Sequence, residues 1–138
     1  MKVLLFGSRG WIASYFIPLL ESKGHQVIKT SVRADDVDGI VKVIEEYCPD
    51  RVVSFIGRTH GEGYTTIDYL EQPGKLVENV RDNFFSPMVL ALICKEKGIH
   101  FTYLGTGCIF SSTDPVSETY NEAALPNFFG SSYSTVKG

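Results

Sequence analysis

The sequence predicts an α/β protein with a doubly wound parallel sheet, and three observations lead to that prediction. Short runs of apolar residues alternate along the chain with longer segments of helical periodicity. The apolar runs show no polar alternation, which is typical of strands buried on both faces. A glycine-bearing turn joins the first run to the first helical segment. Strands that alternate with helices pair in parallel, because each crossover helix packs on a face of the sheet.

The first strand is predicted at residues 2–6, where KVLLF ends in a glycine. The first helix is predicted from Gly10 to Lys23, with apolar residues at helical spacing and Gly24 as its stop. Pro18 lies inside this helix, and an interior proline loses a backbone hydrogen bond at a cost of about 3 kcal/mol. We therefore expect a kink at that turn.

The remaining elements continue the alternation. Strands are predicted at 25–31, 50–57 and 100–106, and helices at 37–48 and at about 73–97. A loop containing Pro115 and Pro126 is predicted to lead into a last helix that begins near Ser132. The long helix is expected to present one apolar face, made of Leu76, Val77, Val80, Phe84, Met88 and Leu92.

The composition excludes several classes of protein. A chain of 138 residues, 43% hydrophobic and 21% charged, suits one globular domain with one core. Its formal charge of −3 offers no basic field for a nucleic acid. There is no signal peptide and no apolar run of membrane-spanning length, so we expect no membrane partner and a cytoplasmic location.

The three cysteines predict neither a disulfide framework nor a metal site. Cys48, Cys94 and Cys108 lie far apart and form no Cys-x-x-Cys pair. Cys48 and Cys94 are interpreted as buried small hydrophobic residues, the usual role of a free cysteine.

The turn GSRGWIA predicts a dinucleotide site. Gly7 permits the tight turn, Gly10 lets the backbone approach a pyrophosphate, and Ala13 lets the helix lie close to the strand. The phosphates would bind the N–H groups at the helix N-terminus. A plain tight turn is the alternative. The predicted cofactor contacts in this turn are Gly7, Ser8, Arg9, Gly10, Trp11 and Ile12.

The end of the second strand indicates which dinucleotide is bound. An NAD site usually has a carboxylate there, whereas this chain has Ser31 and Arg33. A hydroxyl and a guanidinium suit a 2′-phosphate, and Arg9 could add a second cation. We therefore favour NADP(H) over NAD(H). The alternative is that both arginines are solvated surface residues.

Tyr133 and Lys137 are four residues apart in the last predicted helix and therefore share a face. A neighbouring ammonium lowers the pKa of a phenol, which suits it to general acid or base catalysis. A surface tyrosine with a solvated lysine is the alternative. Thr106 lies at the carboxyl end of the fourth predicted strand, where doubly wound sheets bind their ligands. Its hydroxyl could hold a carbonyl oxygen beside the tyrosine.

With these motifs in this order, the chain resembles the extended short-chain dehydrogenase/reductase family, whose cofactor domain is a Rossmann fold. The resemblance implies that Tyr133 is the proton donor, that Lys137 also binds the nicotinamide ribose and that Thr106 orients the keto group. It also implies a catalytic asparagine, which Asn83 matches. Pro87 cannot donate a hydrogen bond to the carbonyl of Asn83, so it could create a kink that aims Asn83 at the lysine.

The same resemblance assigns further cofactor contacts. Phe55, Ile56 and Gly57 correspond to a stretch where relatives have two alanines before the glycine, so the first two are bulkier than expected. Asp36 matches an acidic residue that contacts adenine in relatives.

The motif TGCIF narrows the resemblance. Related dehydratases have an Asp-Glu pair after the hydroxyl residue, whereas this chain has Gly107 and Cys108. A cysteine here is similar to that of the 3,5-epimerase/4-reductases of UDP-rhamnose synthesis. A thiol that titrates near neutrality could move protons α to a 4-keto group, so Cys108 is a predicted catalytic and substrate-binding residue. The motifs DYLE and PNFFGSSYS support the same group.

The resemblance implies a nucleotide-sugar substrate, UDP-4-keto-6-deoxyglucose, reduced to UDP-L-rhamnose with NADPH. Thr59, Glu62 and Asn127 are candidate sugar contacts, although ordinary loop polarity is as good an interpretation. Family members continue beyond the Tyr/Lys helix. We therefore expect residues 1–138 to be the NAD(P)-binding Rossmann domain of a longer enzyme, cut before its substrate domain, inactive alone and prone to form a homodimer. A reductase-only enzyme and a non-catalytic regulatory subunit are the alternatives.

Overall fold

A computed structural model describes residues 1–112 and 119–138, and its sheet is the parallel one that the sequence predicts. The strands are β1 (Lys2–Phe6), β2 (Gln26–Lys29), β3 (Arg51–Ser54) and β4 (His100–Tyr103). They pair in parallel in the order β2-β1-β3-β4. The chain moves from β1 to one side for β2 and to the other side for β3, so a topological switch point lies between β1 and β3. The predicted doubly wound α/β fold is confirmed.

The helices connect these strands. They are α1 (Trp11–Ser22), α2 (Val37–Tyr47), α3 (Leu76–Val80), a π-helical turn (Arg81–Phe85), α4 (Ser86–Glu96) and α5 (Ser132–Lys137). Two 3₁₀ turns, Ile67–Glu71 and Gly107–Ile109, lie in the loops. The predicted loop around Pro115 lies outside the described residues.

The chain divides into two compact units. Unit 1 comprises Met1–Gly57 and Arg81–Leu104, and unit 2 comprises Arg58–Val80 and Gly105–Gly138. The sheet, α1, α2 and α4 belong to unit 1, whereas α3, α5 and both 3₁₀ turns belong to unit 2.

Unit 1 is held by two apolar clusters, one on each face of the sheet. On one face, Leu4 and Phe6 of β1 pack with side chains of α2 and α4 such as Ile40 and Leu90. On the other face, residues of β1 and β3 pack against α1, with Ala13 fully buried. Because neighbouring residues of a strand point to opposite faces, a strand that is apolar throughout feeds both clusters.

The six apolar residues predicted to share one face of the long helix do not form its contact with the core. All six are exposed, from a relative exposure of 38% for Val80 to 74% for Val77. The residues of α4 that contact the sheet are instead Val89, Leu90, Ile93 and Cys94. Apolar residues surround this helix on several sides, so periodicity does not select the buried face, and the contact with the sheet decides it.

The two helices in which a proline was expected to cause an irregularity differ: one helix is continuous, and the other is preceded by a π-helical turn. Pro18 lies inside α1, which runs unbroken from Trp11 to Ser22. Pro87 lies in the first turn of α4, directly after the π-helical turn that contains Asn83. In that turn the Ser86 hydroxyl donates to the carbonyl of Arg81, five residues earlier, at 2.8 Å. The local irregularity expected from Pro87 is therefore present as a π-helical turn, a feature that often marks functional positions.

Candidate active site

Gly7 forms the centre of the glycine turn in unit 1. Its φ is +77°, a left-handed conformation that residues with a Cβ rarely adopt. A Cβ at Gly7 would lie 3.0 Å from the carbonyl carbon of Phe55 and 3.1 Å from the nitrogen of Ile56. The turn therefore lies directly against the backbone that follows β3. This is the switch point at which a doubly wound sheet binds its ligand.

The N-terminus of α1 fits the diphosphate of a dinucleotide. The helix begins after Gly10, whose N–H bonds the Gly7 carbonyl at 3.1 Å. No side chain in the described part of the chain caps the helix, and its first turn contains no acidic residue. Trp11 and Ile12 are exposed there, at 76% and 38%. The backbone N–H groups of the first turn and the helix dipole are therefore open to an anion.

Ser31 and Arg33 follow β2 as predicted, but Arg33 already pairs with a carboxylate. Ser31 and Arg33 are exposed, as a 2′-phosphate site requires. The Arg33 guanidinium forms two hydrogen bonds, of 2.9 and 3.2 Å, with the carboxylate of Asp35. The hydrogen bond from Arg33, with the charge of Arg81 as a smaller contribution, lowers the pKa of Asp35. Sequence reasoning missed Asp35, and the visible signal was the carboxylate two residues after the arginine.

Two other predicted cofactor residues have structural contacts in unit 1. Asp36 caps α2, because its Oδ1 accepts the N–H of Gly39 at 3.0 Å. Phe55 packs edge-to-face on Phe16, with ring centroids 4.9 Å apart, and Ile56 packs against the cluster on the other face. The large side chains at 55 and 56 therefore fill the core, while their backbone contacts Gly7. Gly57, the next residue, is exposed.

Asn83 is 98% buried in the π-helical turn of unit 1, with a relative exposure of 2%. Asn83 therefore lies in the interior of unit 1, and its catalytic role stays a prediction.

Unit 2 brings together four of the predicted catalytic residues. Tyr133 lies in the first turn of α5 and is 4% exposed. Its phenol lies close enough to the Thr106 side chain for that side chain to lower its pKa. The Lys137 ammonium lies 5.6 Å from the centroid of the Tyr133 ring. The fourth residue, Cys108, interacts electrostatically with both Tyr133 and Lys137. The predicted grouping of an alcohol, a phenol, an amine and a thiol is therefore present within one unit.

The electrostatics of Tyr133 differ from the expectation. Burial raises the pKa of its phenol, the Thr106 side chain lowers it, and the charge of Cys108 raises it, with a net upward shift. Burial also lowers the pKa of Lys137, against the smaller effect of Cys108. The expected lowering by the Lys137 ammonium is not among these effects, and desolvation, which disfavours the charged form of each group, is the largest of them.

Backbone contacts fix the thiol beside this pair. Thr106 Oγ1 accepts the N–H of Cys108 at 3.2 Å, and the Cys108 carbonyl accepts the hydroxyl of Ser134 at 2.7 Å. The Cys108 side chain is exposed. Cys94 is buried as predicted, which raises the pKa of its thiol to about 11. The interpretation of Cys48 as buried is wrong, because it ends α2 in a left-handed conformation on the surface.

The candidate sugar contacts have different surroundings in unit 2. Asn127 accepts the N–H of Ser111 at 2.7 Å and donates to its carbonyl at 3.1 Å, so its amide braces a loop. Glu62 is exposed, and Thr59 hydrogen-bonds only its neighbour His60, at 3.4 Å, among the contacts of the described residues.

Among residues 1–112 and 119–138, no helix is both long and apolar enough to cross a membrane. The same residues contain no group of three or more His, Cys, Asp or Glu side chains that could hold a metal ion.

Comparison with known proteins gives consistent matches. A family model described as the RmlD substrate binding domain matches residues 1–134. Protein L780 of Acanthamoeba polyphaga mimivirus is 57% identical over all of this chain and 49% of its own length. A bifunctional dTDP-4-dehydrorhamnose 3,5-epimerase/dTDP-4-dehydrorhamnose reductase of Arabidopsis thaliana is 36% identical over 97% of this chain and 44% of its own.

A solved structure shows the same fold. The crystal structure of the L780 UDP-rhamnose synthase superposes on 99% of this chain and 49% of that one, with a TM-score of 0.94 at 56% identity. The chain therefore spans about half the length of the relatives it matches.

Proposed function

The chain belongs to the RmlD substrate binding domain family, and from this premise we propose that it is the cofactor-binding part of a longer rhamnose-forming enzyme. The proposed reaction converts UDP-4-keto-6-deoxyglucose to UDP-L-rhamnose by 3,5-epimerisation and 4-reduction. The observation that carries the proposal is the grouping of Thr106, Cys108, Tyr133 and Lys137 in unit 2. Its similarity to an epimerase/reductase and to a UDP-rhamnose synthase supports the choice of substrate.

Tyr133 is the proposed proton donor. Bound NADPH supplies the hydride that C4 of the sugar accepts. The phenol then gives its proton to the oxygen at C4, and the neighbouring Thr106 hydroxyl orients the carbonyl. Burial raises the pKa of Tyr133, so the phenol is in its protonated, donating form at neutral pH. The charge of Lys137 stabilises the phenolate left after the transfer.

Cys108 is the proposed base of epimerisation. The keto group at C4 acidifies the C–H bonds at C3 and C5, and a thiolate removes one of those protons to leave an enolate. Reprotonation on the opposite face by another acid inverts the carbon. The exposed Cys108 side chain, which acts electrostatically on Tyr133, suits this role, whereas the buried thiol of Cys94 does not.

The proposed cofactor is NADP(H). The fit rests on the Gly7 cradle and the uncapped N-terminus of α1, which would hold the diphosphate. Ser31, Arg33 and Arg9 would hold the 2′-phosphate. The bond from Arg33 to Asp35 is a surface ion pair, a kind worth roughly 0–1 kcal/mol, so a phosphate dianion can displace Asp35.

The cofactor proposal is tested by titrating the protein with NADPH and with NADH. We expect Arg33→Ala to weaken binding of NADPH about tenfold and to leave NADH within twofold. Arg51→Ala, which removes an exposed guanidinium from the other end of the sheet, is the matched control. Equal affinity of the unaltered protein for both dinucleotides would refute the preference.

The reaction is tested with the complete natural gene product that carries this segment. In ²H₂O with NADPH and UDP-4-keto-6-deoxyglucose, we expect UDP-rhamnose with deuterium at C3 and C5. Tyr133→Phe should abolish reduction but retain exchange, and Cys108→Ser should slow exchange, with Cys48→Ser as the control thiol. Reduction without deuterium at C3 and C5 would indicate the reductase-only alternative, and no turnover would indicate a non-catalytic subunit.

The proton donor is tested through the pH dependence of reduction. A donor is active below its pKa, so the rate should fall as pH rises through the pKa of Tyr133. Thr106 lowers that pKa, so Thr106→Val should move the alkaline limb to higher pH as well as lowering the rate. A limb that stays at the same pH would exclude Tyr133 as the group observed.

A further inference from the structure

Glu71 makes an unusual contact with the N-terminus of α5, the helix that carries Tyr133. Its Oε2 accepts the N–H of Ser132 at 2.9 Å, and its Oε1 accepts the N–H of Tyr133 at 3.0 Å. The two residues lie 61 and 62 positions later in the chain. One carboxylate thus satisfies two of the N–H groups that a helix leaves unpaired at its start, and it places a negative charge at the positive end of the dipole.

The other groups at this helix start are also held. Ser131 Oγ accepts the N–H of Ser134 at 3.0 Å. Asn79, fully buried, donates from Nδ2 to the Ser132 hydroxyl at 3.0 Å. Side chains that are distant in the sequence therefore hold the start of α5 in place.

The 3₁₀ turn that ends in Glu71 holds Tyr133 at two points. Its last residue binds the Tyr133 backbone, and its residues Tyr69 and Leu70 form an apolar cluster with the Tyr133 ring. Tyr69 is itself fixed by a hydrogen bond of 2.8 Å from its hydroxyl to Glu78. The backbone and the ring of the proton donor are thus located by a single short element.

We propose that Glu71 is a positioning residue for Tyr133, acting through the two backbone hydrogen bonds that set where α5 begins. The inference rests on the proposed function, in which the phenol must lie at a keto oxygen beside Thr106. Glu71 touches neither reactant. Its substitution moves the helix start, and the displacement of the phenol lowers the rate of the chemical step.

The test uses Glu71→Gln and Glu71→Ala in the complete gene product. Glutamine keeps one acceptor oxygen and so one of the two hydrogen bonds, whereas alanine keeps neither. We expect kcat to fall roughly 10-fold for Glu71→Gln and up to about 100-fold for Glu71→Ala, because a displacement near 1 Å has effects of this size. KM for NADPH should change less than kcat, since only the contact predicted for Lys137 lies on α5, whereas the diphosphate site is predicted at the Gly7 turn. Asp68→Asn, in the same 3₁₀ turn but bonded to Thr66, is the matched control and should retain kcat.

A purely structural role predicts a different result. In that case the loss of activity would equal the unfolded fraction measured by circular dichroism, and kcat per folded molecule would be unchanged. That outcome, or an equal loss in Asp68→Asn, would overturn the proposal.

A second measurement does not depend on turnover. Tyrosine labelled with ¹³C at Cζ, with the Tyr133 signal assigned from Tyr133→Phe, reports the titration midpoint of that phenol. We expect the midpoint to shift in Glu71→Gln and to stay unchanged in Asp68→Asn. An unaltered midpoint in folded Glu71→Gln would overturn the positioning role, whereas absent turnover by the unaltered enzyme would overturn only the proposed function.

Discussion

Replacing Gly7 by alanine tests whether the glycine turn is built for close approach of two backbone segments. The residue has φ +77°, and an added Cβ would lie 3.0 Å from the carbonyl carbon of Phe55 and 3.1 Å from the nitrogen of Ile56. Gly24 provides a matched control, because its φ is +76° and no described atom lies within 4 Å of an added Cβ. The two substitutions share the conformational cost and differ in the contact.

The loss of stability expected for each variant follows from the conformational cost and the cost of the close contact. A left-handed conformation costs an L-residue about 1–2 kcal/mol, and this cost applies to both variants. Overpacking adds about 1–3 kcal/mol, and at Gly7 the atoms in the way are backbone, which cannot rotate aside. We therefore expect Gly24→Ala to lower the free energy of unfolding by about 1–2 kcal/mol and Gly7→Ala by about 2–5 kcal/mol.

Urea unfolding followed by far-ultraviolet circular dichroism measures the difference. With a slope of roughly 1–2 kcal/mol per molar, the midpoint of Gly7→Ala should lie roughly 1–2 M below that of Gly24→Ala. NADPH affinity should fall in Gly7→Ala and stay unchanged in Gly24→Ala, because only the first turn contacts the predicted diphosphate site. Coincident unfolding midpoints would show that the approach of the two backbones imposes no constraint, and the reasoning would fail.

Two further predictions test the packing. Leu90→Ala should lower the free energy of unfolding by about 2–5 kcal/mol, because Leu90 is fully buried. Leu92→Ala should lower it by less than about 0.5 kcal/mol, because Leu92 is 53% exposed. Urea unfolding of the two variants measures the difference. In the folded chain at pH 8, a maleimide should label the exposed Cys48 and Cys108. It should not label Cys94, because burial raises the pKa of that thiol to about 11. If mass spectrometry finds Cys94 modified at the same rate as the other two, its position in the core is contradicted.

Local patterns were enough to predict the scaffold of unit 1. The run KVLLF becomes β1 at the predicted residues, because a strand buried on both faces is apolar at every position. The turn after it was predicted from Gly7 and Gly10, since glycine adopts the positive φ of Gly7 without the steric cost that a Cβ adds. The buried face of α4 could not be predicted in this way, because Met88 and Leu92 are as apolar as Val89 and Leu90.

The features that local patterns did not predict depend on loop conformation and on contacts between distant residues. The Arg33–Asp35 pair was visible as two nearby charges, but its bidentate geometry depends on how the loop after β2 folds. Glu71 gave no local signal at all, because its partners lie 61 and 62 residues away. The pKa of Tyr133 depends on burial, which periodicity does not measure, and so the expected direction of its shift was wrong.

The order of strands and helices, the glycine turn and the spacing of Tyr133 and Lys137 were determined by the sequence alone, because each depends on residues within a few positions of one another. The burial of Tyr133, the effect of Thr106 on its pKa and the capping of α5 by Glu71 were decided only by the tertiary structure. The physical reason is that desolvation and hydrogen bonding depend on which distant groups share a space, and a linear pattern records only neighbours along the chain.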